Sequence, residues 1–407
     1  MGPPNWSLFH KLRLFSSIFL NFACGTPIDL PGALLEGENM RLNTILKTCG
    51  ILALGVSSPE KALADDLEFN SLYRSPYYLG RGDTGIATAD NHEAIFYNPA
   101  GLASGKGLYK ETVLVSPSVH TSIHTKDLVR QVAVEEKNDP DTFKSFLGHN
   151  LHLGLSNFTG IVFRRAALGF LVSGHTNILL AKSEEDRGVE NLRAEVALNK
   201  IPTFSMAQDF WNQKLMIGTT IKYVMRNEGR LTVSALDSQN ISNQLQGDSV
   251  QKEMRGIGVD LGLIYRFDKI PWRLGLNIQN AGSTQLKQVD PDEGEASGGR
   301  TLPQKVNLGS AYEVKTKMSS LLFLFDYHDI AGATETSTFK RLHLGGEMSF
   351  ARFFGVVGGL NQGYPTAGLY LNLYVLRLDL GAYTQEVGGA AGVRPDQRFY
   401  FRLMAGF

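Results

Sequence analysis

The amino-acid sequence predicts an all-β protein, a 14-stranded antiparallel transmembrane β-barrel. Three observations lead to this fold class: apolar residues that recur with a period of two, a C-terminal strand that ends on an aromatic residue, and connections that alternate between very short and long. Soluble β proteins share the first feature, but only barrels that cross an outer membrane combine all three. We therefore take the elements in order of the strength of their signals.

The last nine residues form the clearest strand. The apolar set is Phe399, Phe401, Leu403, Ala405 and Phe407, and the set between is Tyr400, Arg402, Met404 and Gly406. Successive side chains of a strand point to opposite faces, so one face is apolar and the other mixed, as a wall between lipid and a polar lumen requires. Taken alone, the segment also fits a core strand of a soluble protein.

The ending also resembles a sorting signal. Phe399, Phe401, Leu403 and the terminal Phe407 form the aromatic, alternating pattern that the bacterial barrel-assembly machinery reads. We therefore expect that machinery, together with outer-membrane lipid, among the partners of the chain.

Thirteen further segments alternate in the same way, which makes the even strand number expected of bacterial barrels. The predicted strands are 111–120, 151–165, 167–181, 191–210, 214–226, 255–267, 271–280, 304–315, 319–328, 340–350, 353–361, 365–374, 376–385 and 398–407. Arg273 and Arg377 fall in the polar sets, and an arginine on the lipid face costs roughly 2–4 kcal/mol near the midplane. The polar sets should therefore face the lumen.

The connections between these strands support the same topology. Very short connections, such as 166 and 375, alternate with long ones, such as 121–150 and 227–254, and only 362–364 departs from the rule. Short periplasmic turns and long external loops are typical of these barrels. Aromatic residues gather near the short turns and are predicted to form an interfacial girdle: Phe210, Trp211, Phe267, Trp272, Phe350, Phe353 and Phe354. Short helices are predicted around Asp141 to Leu147 and within 227–254.

The composition limits the partners and the chemistry that the chain can have. Charged residues make up 20% of the 407 residues and the net charge is zero, so nothing indicates a nucleic-acid partner. Glycine is abundant, at 43 residues, against 15 prolines. The cysteines, Cys24 and Cys49, both lie near the N-terminus, so a chain that has lost this region would have no thiol for a disulfide or a metal site.

The N-terminus resembles a secretory leader with an upstream extension. Met40 begins a charged start, residues 48–56 form a short apolar core, and residues 62–64 fit a small-x-small cleavage site. This predicts an upstream extension over residues 1–39, a signal peptide over 40–64 and a mature chain from Asp65. The alternative is a longer signal that uses Leu12 to Ala23.

Residues 65–110 do not read as strands, and they carry the distinctive motifs of the chain. The run from Gly80 to Ala103 includes Asn98, Pro99, Ala100 and Gly101. This run resembles the N-terminal region of the FadL-like superfamily of long-chain fatty acid transporters, including PorV-like and TraF-like relatives. The segment from Pro303 to Val314 resembles those relatives more closely than the fatty acid transporter itself.

The resemblance implies a 14-stranded barrel over residues 111–407 with an N-terminal plug, or hatch, over 65–110. In such barrels hydrophobic substrate leaves sideways through a gap in the wall. Asn98 to Gly101 would form a tight turn of the plug, because Asn-Pro followed by a small residue and glycine favours turns.

No constellation of residues predicts catalysis or a metal, so the chain is expected to be neither an enzyme nor a cofactor protein. The nine histidines form no HExxH pattern, and His149 and His152 would lie on opposite faces of a strand. The tripeptide Arg81-Gly82-Asp83 matches a cell-adhesion motif but would be hidden inside a plug. An outer-membrane protease or phospholipase, with its site assembled across strands, stays open as an alternative.

Pro202 lies inside the long strand 191–210, and Gly174 lies on its neighbour. Proline cannot donate to a ladder and usually occupies an edge or a bulge. The pair predicts either a local kink that opens a gap in the wall or simply the end of a loop.

Two functions therefore remain in view. The first is a monomeric outer-membrane barrel of a Gram-negative bacterium for passive uptake of a hydrophobic ligand, such as a long-chain fatty acid. The second is an outer-membrane scaffold for a secretion or surface-attachment system. An apolar pocket next to the plug would favour uptake, and a lumen packed solid would favour the scaffold.

Overall fold

A computed structural model describes residues 71–130, 148–182, 190–234, 251–289, 299–334, 337–351, 353–388 and 391–407. The predicted extension over 1–39, the predicted signal peptide over 40–64 and the predicted helix around residues 141–147 lie outside these residues.

The described chain is built mainly from antiparallel strands. Two short segments, β1 (Tyr109–Val115) and β2 (Ser118–Ser122), together form the first strand of the wall. The next six strands are β3 (Asn150–Phe163), β4 (Ala166–Lys182), β5 (Glu190–Phe210), β6 (Leu215–Ser234), β7 (Gln251–Arg266) and β8 (Trp272–Gln279). A small hairpin follows, with strands β9 (Thr284–Gln288) and β10 (Gly299–Leu302). The last seven are β11 (Lys305–Lys315), β12 (Ser319–Tyr327), β13 (Leu342–Phe350), β14 (Phe354–Asn361), β15 (Tyr364–Leu373), β16 (Leu376–Glu386) and β17 (Pro395–Gly406).

The sheet closes on itself. Each wall strand pairs with its neighbours in sequence, β8 pairs with β11, and β17 returns to pair with both β1 and β2. With β1 and β2 counted as one, the wall has 14 antiparallel strands, so the predicted fold class is confirmed. Among the described residues, closure leaves no edge strand in the 14-stranded wall, which a structure in lipid requires.

The two faces of the wall follow the predicted register. In β17 the side chains of Phe399, Phe401 and Leu403 are 36–48% exposed, whereas those of Arg398 and Arg402 are buried in the lumen. The inward face of β17 therefore carries charged residues while its outward face is apolar, the arrangement that lipid selects.

The predicted strands are confirmed in place, with three corrections. The first strand is interrupted at Ser116-Pro117, because proline cannot donate to a ladder. The strand predicted over 214–226 is longer than expected, because β6 runs on to Ser234, into the predicted connection. Finally, the connection 281–303 contains the β9–β10 hairpin, in which β9 pairs with the start of β7.

The connections have the predicted asymmetry. Six short turns lie at one end of the barrel, which we call the short-turn end, and the longer connections lie at the other, the long-loop end. The exception predicted at 362–364 is a tight hairpin at the long-loop end, where Gln362 and Gly363 both have positive φ, at 56° and 87°. Such a pair matches a type I′ turn, which suits the twist of the strands it joins.

Aromatic side chains surround the short-turn end as predicted. Six of the seven predicted girdle residues are exposed, from 38% at Phe267 to 70% at Trp211. They lie where an aromatic belt meets the interface between lipid and water.

The few helices are short. They are α1 (Pro76–Gly80), α2 (Ala94–Tyr97), a 3-10 helix (Pro99–Ala103), α3 (Ile123–Val129) and a second 3-10 helix (Thr338–Arg341). Among the described residues, no helix has both the length and the apolar character that crossing a membrane would require.

Candidate functional site

Residues 71–104, here called the inner segment, lie within the barrel. Their side chains are largely buried, and they contain α1, α2 and the first 3-10 helix. Pro76 and Pro99 each begin a helix, where the missing N–H is tolerated. On one side of the lumen, Ile95 and Leu102 belong to an apolar core shared with wall residues such as Phe158. The inner segment therefore forms the core that a hollow barrel would lack.

The predicted turn motif is at the centre of this core. Asn98 caps the first 3-10 helix, since its side-chain oxygen accepts a hydrogen bond from the N–H of Ala100 at 3.2 Å. Its side-chain amide donates to the carbonyl oxygens of Ile86 at 2.7 Å, of Leu263 at 3.2 Å and of Leu276 at 3.3 Å. The residues from Asn98 to Gly101 thus form a short helix, and Asn98 attaches that helix to β7 and β8.

Five inward-facing glycines leave room for the inner segment. They are Gly218, Gly262, Gly275, Gly309 and Gly345, on β6, β7, β8, β11 and β13, and we call them the glycine belt. A Cβ atom at Gly262 would lie 2.1 Å from Oδ1 of Asn98, and one at Gly218 would lie 2.4 Å from the carbonyl carbon of Pro99. Because real Cβ contacts are never this short, only glycine lets the inner segment approach the wall here.

Buried ion pairs fasten the other side of the inner segment. Arg402 of β17 binds Glu93 of the inner segment and also Asp379 of β16, whose carboxylate it reaches at 2.9 Å. Arg81 of the inner segment binds Glu347 of β13 at 2.8 Å. Buried charges of this kind are tolerated only when they are paired and hydrogen-bonded, so the network specifies one position of the inner segment.

A cavity of about 230 Å³ lies between the inner segment and the long-loop end. Leu72, Leu79 and Phe96 give it an apolar side. Its polar side contains five histidines and several charged residues: His120, His152, His175, His328, His343, Arg74, Asp83, Lys305, Asp329, Lys340, Arg341 and Arg398. The predicted apolar pocket is therefore a pocket of mixed character.

A second cavity, of about 580 Å³, opens at the short-turn end. It is lined by aromatic and cationic side chains, among them Tyr77, Tyr370, Arg266 and Arg377. The guanidinium of Arg377 lies 4.4 Å from the ring centroid of Tyr77 and 4.5 Å from that of Tyr370. The inner segment thus lies between two cavities of different chemistry.

The wall beside the first cavity is irregular. The cavity reaches β2, β3 and β4 through His120, Gly154 and Ser173. At the break between β1 and β2, side chains replace the ladder: Oδ1 of Asn157 accepts from the N–H of Ser116 at 2.9 Å, and the hydroxyl of Thr159 donates to the carbonyl of Leu114 at 2.9 Å. Backbone pairing is therefore interrupted close to Ser156, which lines this cavity.

The two residues of the predicted kink, Gly174 and Pro202, do not pair with each other. Gly174 pairs with Leu198, and Pro202 pairs with Phe170, so the ladder between β4 and β5 continues through both. Between β5 and β6, pairing omits Ile201 and Pro202 and resumes at Thr203 in the same register. Gly174 does line the cavity, so it is the member of the pair that lies nearest to a candidate ligand.

The predicted assembly signal lies on the outer surface beside the closure of the barrel. Phe399, Phe401, Leu403 and Phe407 are all exposed on β17 or just beyond it. The backbone of Phe407 exchanges two hydrogen bonds with Thr112, at 2.7 and 3.0 Å.

The tripeptide from Arg81 to Asp83 is buried inside the barrel, with Arg81 only 2% exposed. An adhesion receptor could not reach it there. The tripeptide instead contributes to the ion pairs and to the cavity described above.

Comparison with known proteins gives one family and several structures. A family model described as the TraF protein of the F plasmid transfer operon matches residues 174–321. No curated protein matches the chain. The resemblance to TraF-like relatives predicted from the sequence is confirmed over the matched segment.

The chain is similar to several solved barrels. They include the toluene transporter TbuX of Ralstonia pickettii, with 13% identity, a TM-score of 0.46, and coverage of 82% of this chain and 98% of that one. The monoaromatic hydrocarbon channel CymD has 14% identity, a TM-score of 0.48, and coverage of 81% and 96%. The toluene transporter TodX of Pseudomonas putida has 11% identity, a TM-score of 0.43, and coverage of 81% and 96%. These proteins are transporters and channels by their descriptions.

Proposed function

We propose that the protein is a passive channel of the outer membrane of a Gram-negative bacterium, which takes up small hydrophobic molecules. The observation that carries the proposal is the cavity at the long-loop end, bounded by the inner segment and touching the wall at β2, β3 and β4. Its position gives an incoming molecule a binding site before any barrier is crossed.

In this proposal the inner segment acts as the plug expected from the sequence. A molecule would bind in the cavity and leave sideways where the ladder beside β2 and β3 is interrupted at Ser116-Pro117. The wall strands near Gly174 and Pro202 are the second place for such an exit. Exit into lipid suits an apolar molecule, because lipid is its preferred solvent.

The size and lining of the cavity bear on the substrate. A volume of about 230 Å³ lies below the 300 Å³ at which pockets for drug-sized ligands begin. The combination of Phe96 and Leu72 with four wall histidines favours a compact molecule that has an apolar body and a polar group. A long-chain fatty acid would fit only after the inner segment moved. The toluene transporters and the monoaromatic channel described above handle molecules of the smaller kind.

An uptake assay with a cavity-filling variant tests the proposal. Gly154 faces the cavity, and a Cβ there would first meet the Nε2 atom of His152, at 3.0 Å. We expect Gly154→Phe to reduce uptake of a labelled monoaromatic compound at least several-fold, whereas Leu153→Phe on the exposed outer face should leave it unchanged. Heat-modifiable migration on gels would confirm that both variants assemble.

Two results would contradict the proposal. One is wild-type uptake no greater than that of cells without the protein, and the other is an assembled Gly154→Phe protein that transports like wild type. Mass spectrometry of solvent extracts from the purified protein would show independently whether it retains a small apolar molecule or a fatty acid.

The alternative function is an outer-membrane scaffold for a secretion, transfer or surface-attachment system. The observation that favours it is the tight packing of the inner segment against the glycine belt, together with the match to a family described by plasmid transfer. A partner that co-purifies with the chain, combined with absent uptake, would support this alternative over transport.

A further inference from the structure

Three potential metal ligands meet in the first cavity, although no sequence motif joins them. Asp83 comes from the inner segment, His328 from the connection after β12 and His343 from β13. One ligand atom from each lies within 4.8 Å of the other two. The two imidazole rings are stacked, with their centroids 4.0 Å apart.

His343 is already oriented as a ligand. Its Nδ1 atom lies 2.8 Å from the carbonyl oxygen of Gly82, which can only accept, so Nδ1 carries the proton. In a neutral ring the lone pair is then on Nε2. Histidines that bind metals commonly donate their other ring N–H to a backbone carbonyl in this way.

His328 has an unsatisfied ring nitrogen. Its Nε2 atom is buried and has no hydrogen-bond partner within the described part of the chain, and Oδ2 of Asp326 is 3.9 Å away. A buried polar atom without a partner costs about 1–3 kcal/mol, so it calls for an explanation such as an ion.

The carboxylate of Asp83 is held in place by its own neighbours. Arg74 donates twice to Oδ2, from Nη2 at 2.9 Å and from Nε at 3.1 Å. Tyr97 donates to Oδ1 at 2.7 Å, so Oδ1 is the oxygen that keeps a second lone pair. The backbone of Asp83 has a φ of 60°, a left-handed conformation that is uncommon outside glycine. Such outliers persist where the surroundings impose them, often at binding sites.

Two carboxylates lie beside His328, those of Asp83 and Asp326. Asp326 is fully buried, and its Oδ1 has no hydrogen-bond partner among the described residues. The cavity as a whole also has a basic lining, with Arg74, Lys305, Lys340, Arg341 and Arg398.

We propose that Asp83, His328 and His343 bind a divalent first-row transition metal ion of the Zn²⁺ type. Two imidazole nitrogens and one carboxylate suit zinc, which takes three protein ligands and leaves a fourth position open when a site is not purely structural. All three residues line the first cavity. The ion would join the inner segment to the barrel wall, and this inference does not depend on the proposed uptake.

Metal binding by the purified, untagged full-length protein tests the site. Equilibrium dialysis against Zn²⁺ alone, followed by metal analysis, should find one ion per chain at this site. His328→Gln should weaken binding at least tenfold, because it removes an imidazole ligand, whose ring otherwise stacks on His343 and lies 3.9 Å from Asp326. Absorption of bound Co²⁺ would report the same loss through a change of coordination.

A second histidine pair provides a matched control. His124 and His149 also stack, at 3.9 Å, but belong to no such cluster of ligands among the described residues. His149→Gln should therefore bind Zn²⁺ like wild type. Hydrogen exchange adds an independent readout, since Zn²⁺ should slow exchange around residues 80–84 in wild type but not in His328→Gln.

The inference is overturned by either of two results. One is a wild-type protein that binds no more Zn²⁺ than His328→Gln, and the other is a His149→Gln protein that loses binding while His328→Gln retains it.

Discussion

Arg402 shows how single residues organise the lumen. Its guanidinium joins Glu93 of the inner segment to Asp379 of the wall, and all three side chains are 2% exposed or less. The sequence predicted that Arg402 faces inward, because lipid excludes a charge. It did not reveal the two partners, which lie 23 and 309 positions away along the chain.

Replacement of Arg402 by methionine should destabilise the protein strongly. Two carboxylates would remain buried without their counter-ion, and breaking a buried pair in this way costs about 3–5 kcal/mol. Denaturant unfolding in lipid or detergent would measure the loss. Lys315→Met is the matched control, because Lys315 is 72% exposed and its pair with Glu313 should contribute at most about 1 kcal/mol. Equal effects from both variants would contradict this reading of the network.

Asn98 gives a second prediction at the scale of the residue. Asn98→Ala removes the cap of the 3-10 helix and three donor contacts in a fully buried place. We expect a loss of about 1–3 kcal/mol, expressed as local loosening of residues 86–103 and not as opening of the barrel. Hydrogen exchange resolved along the chain would distinguish the two. Asn91→Ala, which removes one local contact to the N–H of Glu93, should have a smaller effect.

At the scale of elements, strands were predictable wherever one face meets lipid and the other the lumen. The β9–β10 hairpin was missed because residues 284–288 (TQLKQ) are mainly polar and their partners lie on β7 and β10. The part of β6 after residue 226 was missed for a similar reason. A strand that extends beyond the lipid-facing belt of the barrel can pair without alternating apolar residues.

The glycine belt belongs to the same scale, because it joins several strands to one segment. Gly262→Ala would place a Cβ 2.1 Å from Oδ1 of Asn98, so the inner segment must move away. We expect faster hydrogen exchange in residues 84–103, while the ladders of the barrel stay protected. Gly358→Ala is the control, since its Cβ would meet nothing closer than 3.6 Å. Unchanged hydrogen exchange in Gly262→Ala would show that the glycine belt does not hold the inner segment against the wall.

At the scale of the whole molecule, closure between β17 and β1 makes the barrel. The register shifts between Val113 and Val115, which accommodates the break at Ser116-Pro117 without opening the sheet. Beyond the last strand, Phe407 adds two backbone hydrogen bonds to Thr112, and its ring is exposed. The backbone of Phe407 thus contributes to closure of the barrel, whereas its ring lies on the outer surface beside Tyr109.

Phe407→Ala tests the role of this ring. The backbone bonds survive the substitution, so refolding of the denatured protein into detergent should be unaffected. If the ring is read by the barrel-assembly machinery, the assembled fraction in cells should fall several-fold, as judged by heat-modifiable migration. Phe353→Ala, which removes another exposed ring at the short-turn end, should assemble normally. Failure of Phe407→Ala to refold in detergent would instead assign the ring a structural role.

The sequence by itself determined the class of fold, the number and register of the wall strands, and the end at which the short turns lie. It could do so because a membrane imposes a strict rule on each residue of a strand, apolar outward and polar inward, and this rule is local. The sequence also predicted a turn at Asn98 to Gly101, although not the strands that this turn contacts.

Only the tertiary structure decided what fills the lumen. It brought the inner segment against the glycine belt, paired Arg402 with Glu93 across 309 positions, and placed Asp83 beside His328 and His343. The mixed lining of the first cavity likewise comes from residues that are distant in the sequence. Inside the barrel each side chain faces several distant strands at once, so no local pattern specifies its partner, and the chemistry of the site emerges only when the sheet closes.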